Sequence, residues 1–309
     1  MRIVYFGTPE FSASFLQHIA DHSPDQLVAV VTQPDRPAGR GLHLRSSPVK
    51  LVAEKLQLPV FQPESLRDES FLEELRRLSP DLFVVIAFSI LPAELLEIPR
   101  LGSINLHGSL LPRYRGAAPV QWAVVNGESE SGLTIFQLDS KMDHGPVIEK
   151  VRLPIGENET ASELFERLVE AGKPALLSAL RKVEEGYQPL EQEHQLATRA
   201  PKLRKEDGRI DWNWSAEKIH NLIRGMQPWP AAWGFFEGKK IRFWESRRSN
   251  LEREAPVGRL LWDESVDALC IKTGDGWIEI VKLQPEGKRV MEGGEFWCGL
   301  QQRQELVVE

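Results

Sequence analysis

Leu82–Leu106 reads LFVVIAFSILPAELLEIPRLGSINL, and this stretch decides the fold. Its first run, Leu82–Ala87, is continuously apolar and rich in β-branched residues, which predicts a strand buried on both faces. A helical stretch follows at Leu91–Ile98, and Gly102–Leu106 predicts the next strand. A helix that connects two strands in this way indicates that the strands run parallel within one sheet.

The same alternation of strands and helices extends to both sides of this stretch. Further strands are predicted at Arg2–Phe6, Leu27–Thr32, Leu133–Leu138 and Val147–Leu153, and helices at Phe11–His22, Val49–Leu56, Phe71–Leu78 and Ala161–Glu185. Ser47 is a suitable N-cap for the second of these helices, with Pro48 at its first position. The sequence therefore predicts an α/β fold for residues 1–188, with a doubly wound, mostly parallel, Rossmann-like sheet.

The chain changes character after residue 188. Residues 189–207 are rich in Gln, Glu, Pro and Thr and show no periodicity, which predicts a linker. Beyond it, a helix is predicted at Ser215–Gly225, and short strands at Lys240–Trp244, Gly258–Trp262, Ala268–Lys272 and Trp277–Leu283. Gly, Pro and Asp turns separate these strands, so residues 208–309 are predicted to form a second, smaller β-barrel domain of OB-like type.

Length and composition limit the possible classes of protein. With 309 residues, 41% hydrophobic and 27% charged, the chain is long enough for two globular domains. The net charge of −7 divides into 20 basic and 27 acidic residues over 1–200 and 18 of each over 201–309, so bulk charge does not indicate a nucleic-acid-binding protein. Cys270 and Cys298 lack the spacing of a zinc site, and no metal is predicted. No apolar stretch reaches the roughly 20 residues of a membrane span, and we expect a cytoplasmic monomer without a membrane partner.

The clearest candidate site begins in the strand at Gly102–Leu106, where Ser103–Gly116 reads SINLHGSLLPRYRG. Asn105 and His107 are two residues apart on a strand and therefore point to the same side. They lie at the carboxyl edge of the sheet, where α/β proteins bind ligands. A single histidine is more often structural than catalytic, but the asparagine two residues earlier and the stiff segment that follows favour a catalytic pair.

A second candidate lies in the loop Asp139–Pro146, DSKMDHGP, between two predicted strands. A carboxylate can orient an imidazole and keep it protonated, and Asp143 is predicted to do so for His107. Asp139 and His144 lie nearby and rank below Asp143 as candidates.

Several motifs together resemble a known family. INLHG followed by SLLPRYRGAAP, the later DHG and the opening FGTPEF are similar to the formyltransferase family that uses 10-formyltetrahydrofolate. The opening also lacks the GxGxxG of dinucleotide-binding proteins. TQPDRPAGRG, SPVK, FQPESLR and RIDWNWSAEKIHNLIRGMQPWPAAW extend the resemblance over most of residues 1–245, toward the members that formylate initiator methionyl-tRNA for translation initiation.

The resemblance implies roles for particular residues. It assigns catalysis to Asn105, His107 and Asp143, and contact with the folate donor to Ser109, Leu110, Leu111 and Pro112. The pterin pocket of the family corresponds to Ile86–Leu91, which includes Phe88, Ser89, Ile90 and Leu91. The usual pattern there has an aromatic residue followed by glycine, whereas this chain has Phe88-Ser89.

Two basic segments favour an RNA acceptor over the alternative of a merely solvated surface. Gln33–Lys50 follows a predicted strand, is rich in Pro and Gly, and carries the cations Arg36, Arg40, Arg45 and Lys50. Arg and Lys attract phosphates, and a loop at the sheet edge can enter an acceptor stem, with Arg40 the strongest single candidate. The second segment contains Lys202, Arg204 and Lys205, which we also expect to contact RNA.

Other functions are compatible with these residues. A formyltransferase for an amine of a nucleotide sugar or purine precursor, or a formyl-folate hydrolase, would turn over without RNA. A non-catalytic module that binds RNA or folate would keep its function when His107 or Asn105 is replaced.

Overall fold

The computed structural model describes residues 1–38, 43–300 and 306–309, and the chain divides into two compact units. The first unit consists of Met1–Gly116, Gly132–Arg152 and Arg167–Arg199. The second consists of Ala117–Ser131, Leu153–Glu166 and Ala200–Glu309. The sequence-based domain boundaries, 1–188 and 208–309 with a linker between them, stay a prediction.

Strands and helices alternate through the first half of the chain, and strands dominate the second. The strands are β1 (Arg2–Gly7), β2 (Gln26–Val31), β3 (Arg36–Ala38), β4 (His43–Arg45), β5 (Val60–Phe61), β6 (Leu82–Ile86), β7 (Ser103–His107), β8 (Arg115–Gly116), β9 (Glu130–Gln137), β10 (Val147–Pro154), β11 (Arg199–Ala200), β12 (Ala232–Phe236), β13 (Lys239–Ser249), β14 (Leu260–Asp263), β15 (Ala268–Lys272), β16 (Trp277–Pro285) and β17 (Met291–Glu292). The helices are α1 (Glu10–His22), α2 (Pro48–Lys55), α3 (Glu69–Arg77), α4 (Ala93–Leu96), α5 (Pro119–Val125), α6 (Ala161–Glu184), α7 (Ala216–Gly225) and α8 (Gly293–Cys298). Among the described residues, no helix combines the length and apolar character needed to cross a membrane.

The main sheet of the first unit has the strand order β10-β9-β7-β6-β1-β2-β5. β1 runs parallel to β2 and β6, β2 to β5, and β6 to β7, whereas β9 runs antiparallel to β7. The chain moves outward from β1 through β2 to β5 and then returns to β6 on the other side of β1. This reversal is the topological switch point of a doubly wound sheet, where a crevice opens at the carboxyl ends of the strands. The predicted α/β class is confirmed.

Burial on both faces explains the continuous apolar runs of the central strands. Ile3, Val4, Tyr5 and Phe6 of β1 have 0% exposure, and every residue of β6 is buried. Parallel strands covered on both sides need such residues, because each apolar group removed from water stabilises the fold, by about 0.8 kcal/mol per methylene. The central strands therefore give the loops that follow them a fixed base.

One predicted helix is shorter than expected. The sequence predicts a helix at Leu91–Ile98, but α4 covers only Ala93–Leu96. Pro92 lies at its N-cap, and Pro99 disfavours helical backbone at the residue before it. The other predicted helices lie within two residues of the observed ones.

The second unit contains a sheet in the order β12-β13-β16-β15-β14, with neighbouring strands antiparallel and β17 paired with β16. Residues 306–309 pair with both outer strands of this sheet. Glu309 exchanges backbone hydrogen bonds of 2.7 and 2.8 Å with Phe235 of β12, and Leu260 N of β14 donates to Leu306 O at 2.9 Å. The two edges are thereby joined, which closes the sheet into the predicted small barrel.

Two buried polar side chains on α7 hold the segment between β10 and α6. Arg224 Nη1 donates to Gly156 O at 3.3 Å and to Glu159 O at 3.0 Å, and His220 Nε2 donates to Glu157 O at 3.1 Å. His220 and Arg224 are only 2% and 7% exposed. These bonds explain why Leu153–Glu166, which lies in sequence between two stretches of the first unit, belongs to the second unit.

The stability of the second unit should fall in mild acid. Burial lowers the pKa of His220 below its ordinary value of 6.5, so the unfolded chain binds a proton before the folded chain does. The contribution is fully present above that value and is lost as the pH falls toward the lowered pKa. Thermal unfolding between about pH 7.5 and about pH 5.5 should show a larger drop in melting temperature for the wild type than for His220→Gln. Equal drops in the two proteins would contradict this assignment.

Candidate active site

The carboxyl end of β7 brings a histidine and an aspartate together. β6 and β7 pair Val85 with Asn105, and continuing this register places His107 level with Ala87. His107 Nδ1 lies 3.8 Å from Asp143 Oδ2. The two residues are 7% and 8% exposed, so an imidazole and a carboxylate are buried beside each other at the sheet edge.

Backbone groups hold both side chains. His107 Nε2 donates to Tyr114 O at 2.9 Å, which assigns the proton of the neutral ring to Nε2 and leaves Nδ1 nearest to Asp143. Asp143 Oδ2 accepts from Gly116 N at 2.8 Å. Because rotation of either side chain would break one of these hydrogen bonds, the pair is held in one orientation.

Asn105 precedes His107 by two residues and therefore lies on the same face of β7. Among the described residues, its Oδ1 is buried and has no hydrogen-bond partner. An unpaired buried polar atom costs about 1–3 kcal/mol, so its presence in a folded protein calls for an explanation. A substrate group that donates to this oxygen would provide one.

The segment Ser109–Pro112 follows β7, and hydrogen bonds to other parts of the first unit fix its conformation. Ser109 Oγ donates to Arg113 O at 2.6 Å, and Leu111 N donates to Thr134 Oγ1 at 3.1 Å. Ser109 and Leu111 are buried, whereas Leu110 and Pro112 are half-buried. Any contact with a ligand would therefore come from the half-buried side chains and from backbone groups.

A cleft of about 630 Å³ opens at the switch point between β1 and β6. Thr8 lines it after β1, and Ala87, Phe88 and Ser89 line it after β6. Thr8 Oγ1 is buried without a partner among the described residues, and Gln33 Nε2 donates to Ser89 Oγ at 3.0 Å. An aromatic wall with a few polar groups is typical of small-molecule sites. The described residues contain no group of three or more His, Cys, Asp or Glu that could hold a metal ion.

The four residues predicted for the pterin pocket divide between the core and the surface. Phe88 is half-buried, and its ring contacts Phe6 edge-on with 5.6 Å between centroids. Leu91 is buried, whereas Ser89 is exposed and Ile90 is 71% exposed. The loop therefore offers an apolar side chain to solvent directly beside the residues that line the cleft.

The predicted RNA contacts of the first unit have different surroundings. Arg36 of β3 and Arg45 of β4 are exposed, lie at opposite positions of the two antiparallel strands, and line the cleft. Lys50 Nζ forms an ion pair with Asp35 Oδ2 at 2.6 Å, so its charge is already balanced within the protein. Arg40 lies outside the described residues.

Lys202, Arg204 and Lys205, the predicted RNA contacts of the second unit, are all exposed. Lys205 O accepts from Trp233 Nε1 at 2.9 Å. Their exposure leaves them accessible to a phosphate backbone.

A basic patch surrounds Trp233, and we define it as Lys205, Arg209, Lys240 and Arg242. Lys240 Nζ lies 3.9 Å from the centroid of the Trp233 ring, and the Arg209 guanidinium carbon 5.8 Å from it. The pKa of Lys240 is lowered, first by burial and then by the charges of Arg242 and Lys205. This mutual repulsion would be relieved by a bound polyanion.

Three residues of these sites lie within the quoted motifs but are not singled out individually by the sequence. Tyr114 and Gly116 act through a backbone carbonyl and a backbone N–H, which side-chain type does not reveal. Thr8 contributes one hydroxyl next to a strand end, a position that only the sheet order identifies.

Two protein-family models match most of the chain. A family model described as formyl transferase matches residues 1–180, and one described as formyl transferase, C-terminal domain, matches residues 202–301. The chain belongs to the formyl transferase family.

Relatives within this family carry a more specific name. A protein from Desulfotalea psychrophila is 46% identical over 100% of this chain and 96% of its own length. One from Clostridioides difficile is 41% identical over 97% of both chains. Both are named methionyl-tRNA formyltransferase. The structure of an N-formyltransferase from Helicobacter canadensis, in complex with folinic acid and dTDP-3-aminofucose, has a TM-score of 0.67 at 20% identity, over 92% of this chain and 98% of that one. This last likeness shows the fold alone.

Proposed function

We propose that this protein transfers a formyl group from 10-formyltetrahydrofolate to the α-amino group of initiator methionyl-tRNA, for translation initiation. The observation that carries the proposal is the buried pair of His107 and Asp143, 3.8 Å apart, beside the unpartnered oxygen of Asn105. The relatives' name supports the acceptor, and family membership supports formyl transfer. An acceptor used in translation implies a cytoplasmic reaction, and a site built from one chain is compatible with a monomer.

Three side chains suffice for the proposed chemistry. The neutral amine attacks the formyl carbon, a new C–N bond forms, and the carbonyl oxygen gains negative charge in a tetrahedral intermediate. In an amide side chain, the acceptor oxygen and the donor nitrogen are bonded to the same carbon. In the intermediate, the attacking nitrogen and the oxyanion are likewise bonded to one carbon, so the two pairs of atoms have similar separations. Asn105 would accept from the attacking amine through Oδ1 and donate to the oxyanion through Nδ2.

Proton transfer completes the reaction. The amine loses one proton, and the folate nitrogen gains one as its bond to the formyl carbon breaks. Asp143 would accept the first proton, directly or through a water, and His107 Nδ1 would carry a proton between Asp143 and the reacting atoms. The bond from His107 Nε2 to Tyr114 O leaves Nδ1 for this task. No covalent enzyme intermediate is needed.

The donor and the acceptor would meet at one edge of the sheet. The pterin ring would lie against Phe88–Leu91, where Ile90 is 71% exposed, and the rest of the donor along Ser109–Pro112. Arg36 and Arg45 line the cleft together with Phe88 and Ser89, so phosphates of an RNA end held there would lie close to the donor.

The Trp233 basic patch should contribute to the salt dependence of RNA binding. Replacing Lys240 with alanine removes one cation that releases counterions from phosphate, so the slope of log K against log salt should become shallower by about 0.7–1. At saturating tRNA, kcat should not change. Binding titrations at several salt concentrations measure the slope.

A matched control for this prediction is Arg77→Ala. Arg77 is an exposed cation of α3 that already pairs with Glu73 at 3.5 Å, and its loss should leave the slope unchanged. An unaltered slope for Lys240→Ala would exclude Lys240 from the RNA interface.

One assay tests the function itself. Purified protein, 10-formyltetrahydrofolate and methionylated initiator tRNA should yield N-formylmethionyl-tRNA, detected by mass spectrometry of the released amino acid. Parallel reactions without RNA, with free methionine, and with an amino sugar nucleotide separate the alternatives. Folded protein that forms no product with the charged tRNA, or that consumes the donor equally well without it, would reject the proposal.

A further inference from the structure

Gln192 lies between α6 and β11, in the stretch that the sequence predicts to be an irregular linker. Its side chain is nevertheless buried, with 6% exposure. Nε2 donates to Asp143 O at 3.0 Å and to Gly145 O at 2.7 Å. Both hydrogens of one amide group are therefore used on the loop that carries the candidate catalytic carboxylate.

The segment that carries Gln192 is itself fixed. Leu190 and Val147 exchange backbone hydrogen bonds, from Val147 N to Leu190 O at 2.7 Å and from Leu190 N to Val147 O at 2.8 Å. Gln192 Oε1 accepts from Arg115 Nη2 at 2.6 Å. Arg115 immediately precedes Gly116, whose N–H binds Asp143 Oδ2. Gln192 thus connects the backbone that presents Asp143 to the backbone that holds its carboxylate.

The loop needs such support because its conformation is unfavourable on its own. Asp143 has φ 51°, in the left-handed region, where Asp is found more often than most residues but still at a cost. A Cβ at Gly145 would lie 1.8 Å from Gln137 O, so the backbone there approaches the preceding strand more closely than any other residue allows. Backbone in such conformations persists where the surrounding structure fixes it.

We propose that Gln192 is a positioning residue for Asp143: it holds the backbone of Asp143 and Gly145 so that the carboxylate stays beside His107. This inference rests on the proposed function for the role of Asp143 in proton transfer. Gln192 does not touch the reacting groups, and its effect is on the geometry of a group that does. A displacement of about 1 Å at a reacting group can lower the rate about 100-fold.

Two substitutions separate positioning from packing. Gln192→Ala removes both the donor and the acceptor, whereas Gln192→Glu keeps the size and the acceptor for Arg115 but places an oxygen opposite two carbonyl oxygens. Both variants should lower kcat by about 10–100-fold, with KM for donor and tRNA within about threefold of wild type. Gln188→Ala is the matched control, because Gln188 is an exposed glutamine four residues away and should keep wild-type kinetics.

A second measurement does not depend on activity. Hydrogen exchange at the Gly116 amide, which binds Asp143 Oδ2, should become about tenfold faster in both variants, while core amides such as Val84 of β6 stay protected. If the wild type lacked formyl transfer altogether, the proposed function would fail, and this exchange result alone would decide whether Gln192 holds the loop.

Three outcomes would overturn the inference. The first is wild-type kcat and exchange in Gln192→Ala. The second is near-normal kcat in Gln192→Glu with low kcat in Gln192→Ala, which would show that size and the Arg115 contact matter rather than the donor bonds. The third is loss of cooperative unfolding in both variants, which would make Gln192 a general stability residue.

Discussion

Replacing His107 with alanine should lower kcat for formyl transfer by about 10²–10⁴-fold while the protein keeps its fold. General acid–base catalysis by a positioned side chain contributes about this much. The ring is fixed by its bond to Tyr114 O at 2.9 Å, and Nδ1 lies 3.8 Å from Asp143 Oδ2, so the substitution removes the imidazole that stands beside that carboxylate. Single-turnover kinetics with saturating donor and charged tRNA measure the effect.

His22→Ala is the control for this prediction. His22 ends α1 and is exposed, its Nδ1 hydrogen-bonds to His18 O of the same helix at 3.1 Å, and its ring stacks on His18 with 4.3 Å between centroids. Its removal should leave kcat within about twofold of wild type, as expected for a surface change far from a site. A His107→Ala enzyme that turned over within threefold of wild type would remove the imidazole from the mechanism, and with it the main support for the proposed function.

Replacing Val308 with aspartate should destabilise the second unit by about 3–4 kcal/mol. Val308 is 3% exposed, packs in the barrel core, and its N–H donates to Gly258 O at 2.9 Å. A carboxylate there would be buried without a partner, and its escape to solvent would separate residues 306–309 from the two outer strands. Denaturant unfolding, followed by tryptophan fluorescence, measures the free-energy change.

The adjacent residue provides a matched control. Val307 is 41% exposed, because successive side chains of an extended segment point to opposite faces. Val307→Asp should therefore change the free energy of unfolding by no more than about 0.5 kcal/mol. If both variants unfolded at the same denaturant concentration as wild type, residues 306–309 would not be closing the barrel in solution.

Much of the first unit could be predicted from local patterns. Continuous apolar runs identified β1, β2 and β6 because strands buried on both faces need them. The predicted cap of α2 is confirmed, since Ser47 Oγ accepts from Lys50 N at 3.1 Å and Pro48 begins the helix. Buried strands and helix caps depend on residues that are close together in the sequence. They can therefore be predicted from the sequence without knowledge of the tertiary structure.

Elements without a local signal were missed. α5, Pro119–Val125, is a short apolar run with no side-chain cap, so periodicity does not distinguish it from a strand. β12, Ala232–Phe236, contains a glycine that lowers its strand propensity. That glycine is explained only by the fold, because a Cβ on Gly234 would lie 2.7 Å from Glu309 O.

Some residues of the candidate site also have a local signal in the sequence, and others do not. The end of a predicted strand indicates Asn105 and His107, and the loop after the next predicted strand supplies Asp143 as the partner of His107. The structure places His107 and Asp143 beside each other. Their roles stay proposals. Gln192 could not be found in the same way, because its partners lie 49 and 47 positions away in the chain and its own surroundings look like a linker. The number of cations in Gln33–Lys50 indicates a basic segment. It does not reveal that Lys50 forms an ion pair with Asp35 within the protein.

The discontinuous make-up of the second unit limits how it can be excised or transplanted. A fragment that starts at residue 200 would lack Gly156 and Glu159, whose carbonyl oxygens accept from Arg224, and Glu157, which accepts from His220. It would also lack α5, whose Val125 Cγ2 lies only 2.5 Å from where a Cβ on Gly225 of α7 would stand. Arg224 and His220 would then lose these hydrogen-bond partners, and the face of α7 that packs against α5 would be exposed to solvent. Residues 200–309 are therefore not expected to fold independently. Hybrid proteins that exchange this region should also take residues 117–131 and 153–166 from the same parent.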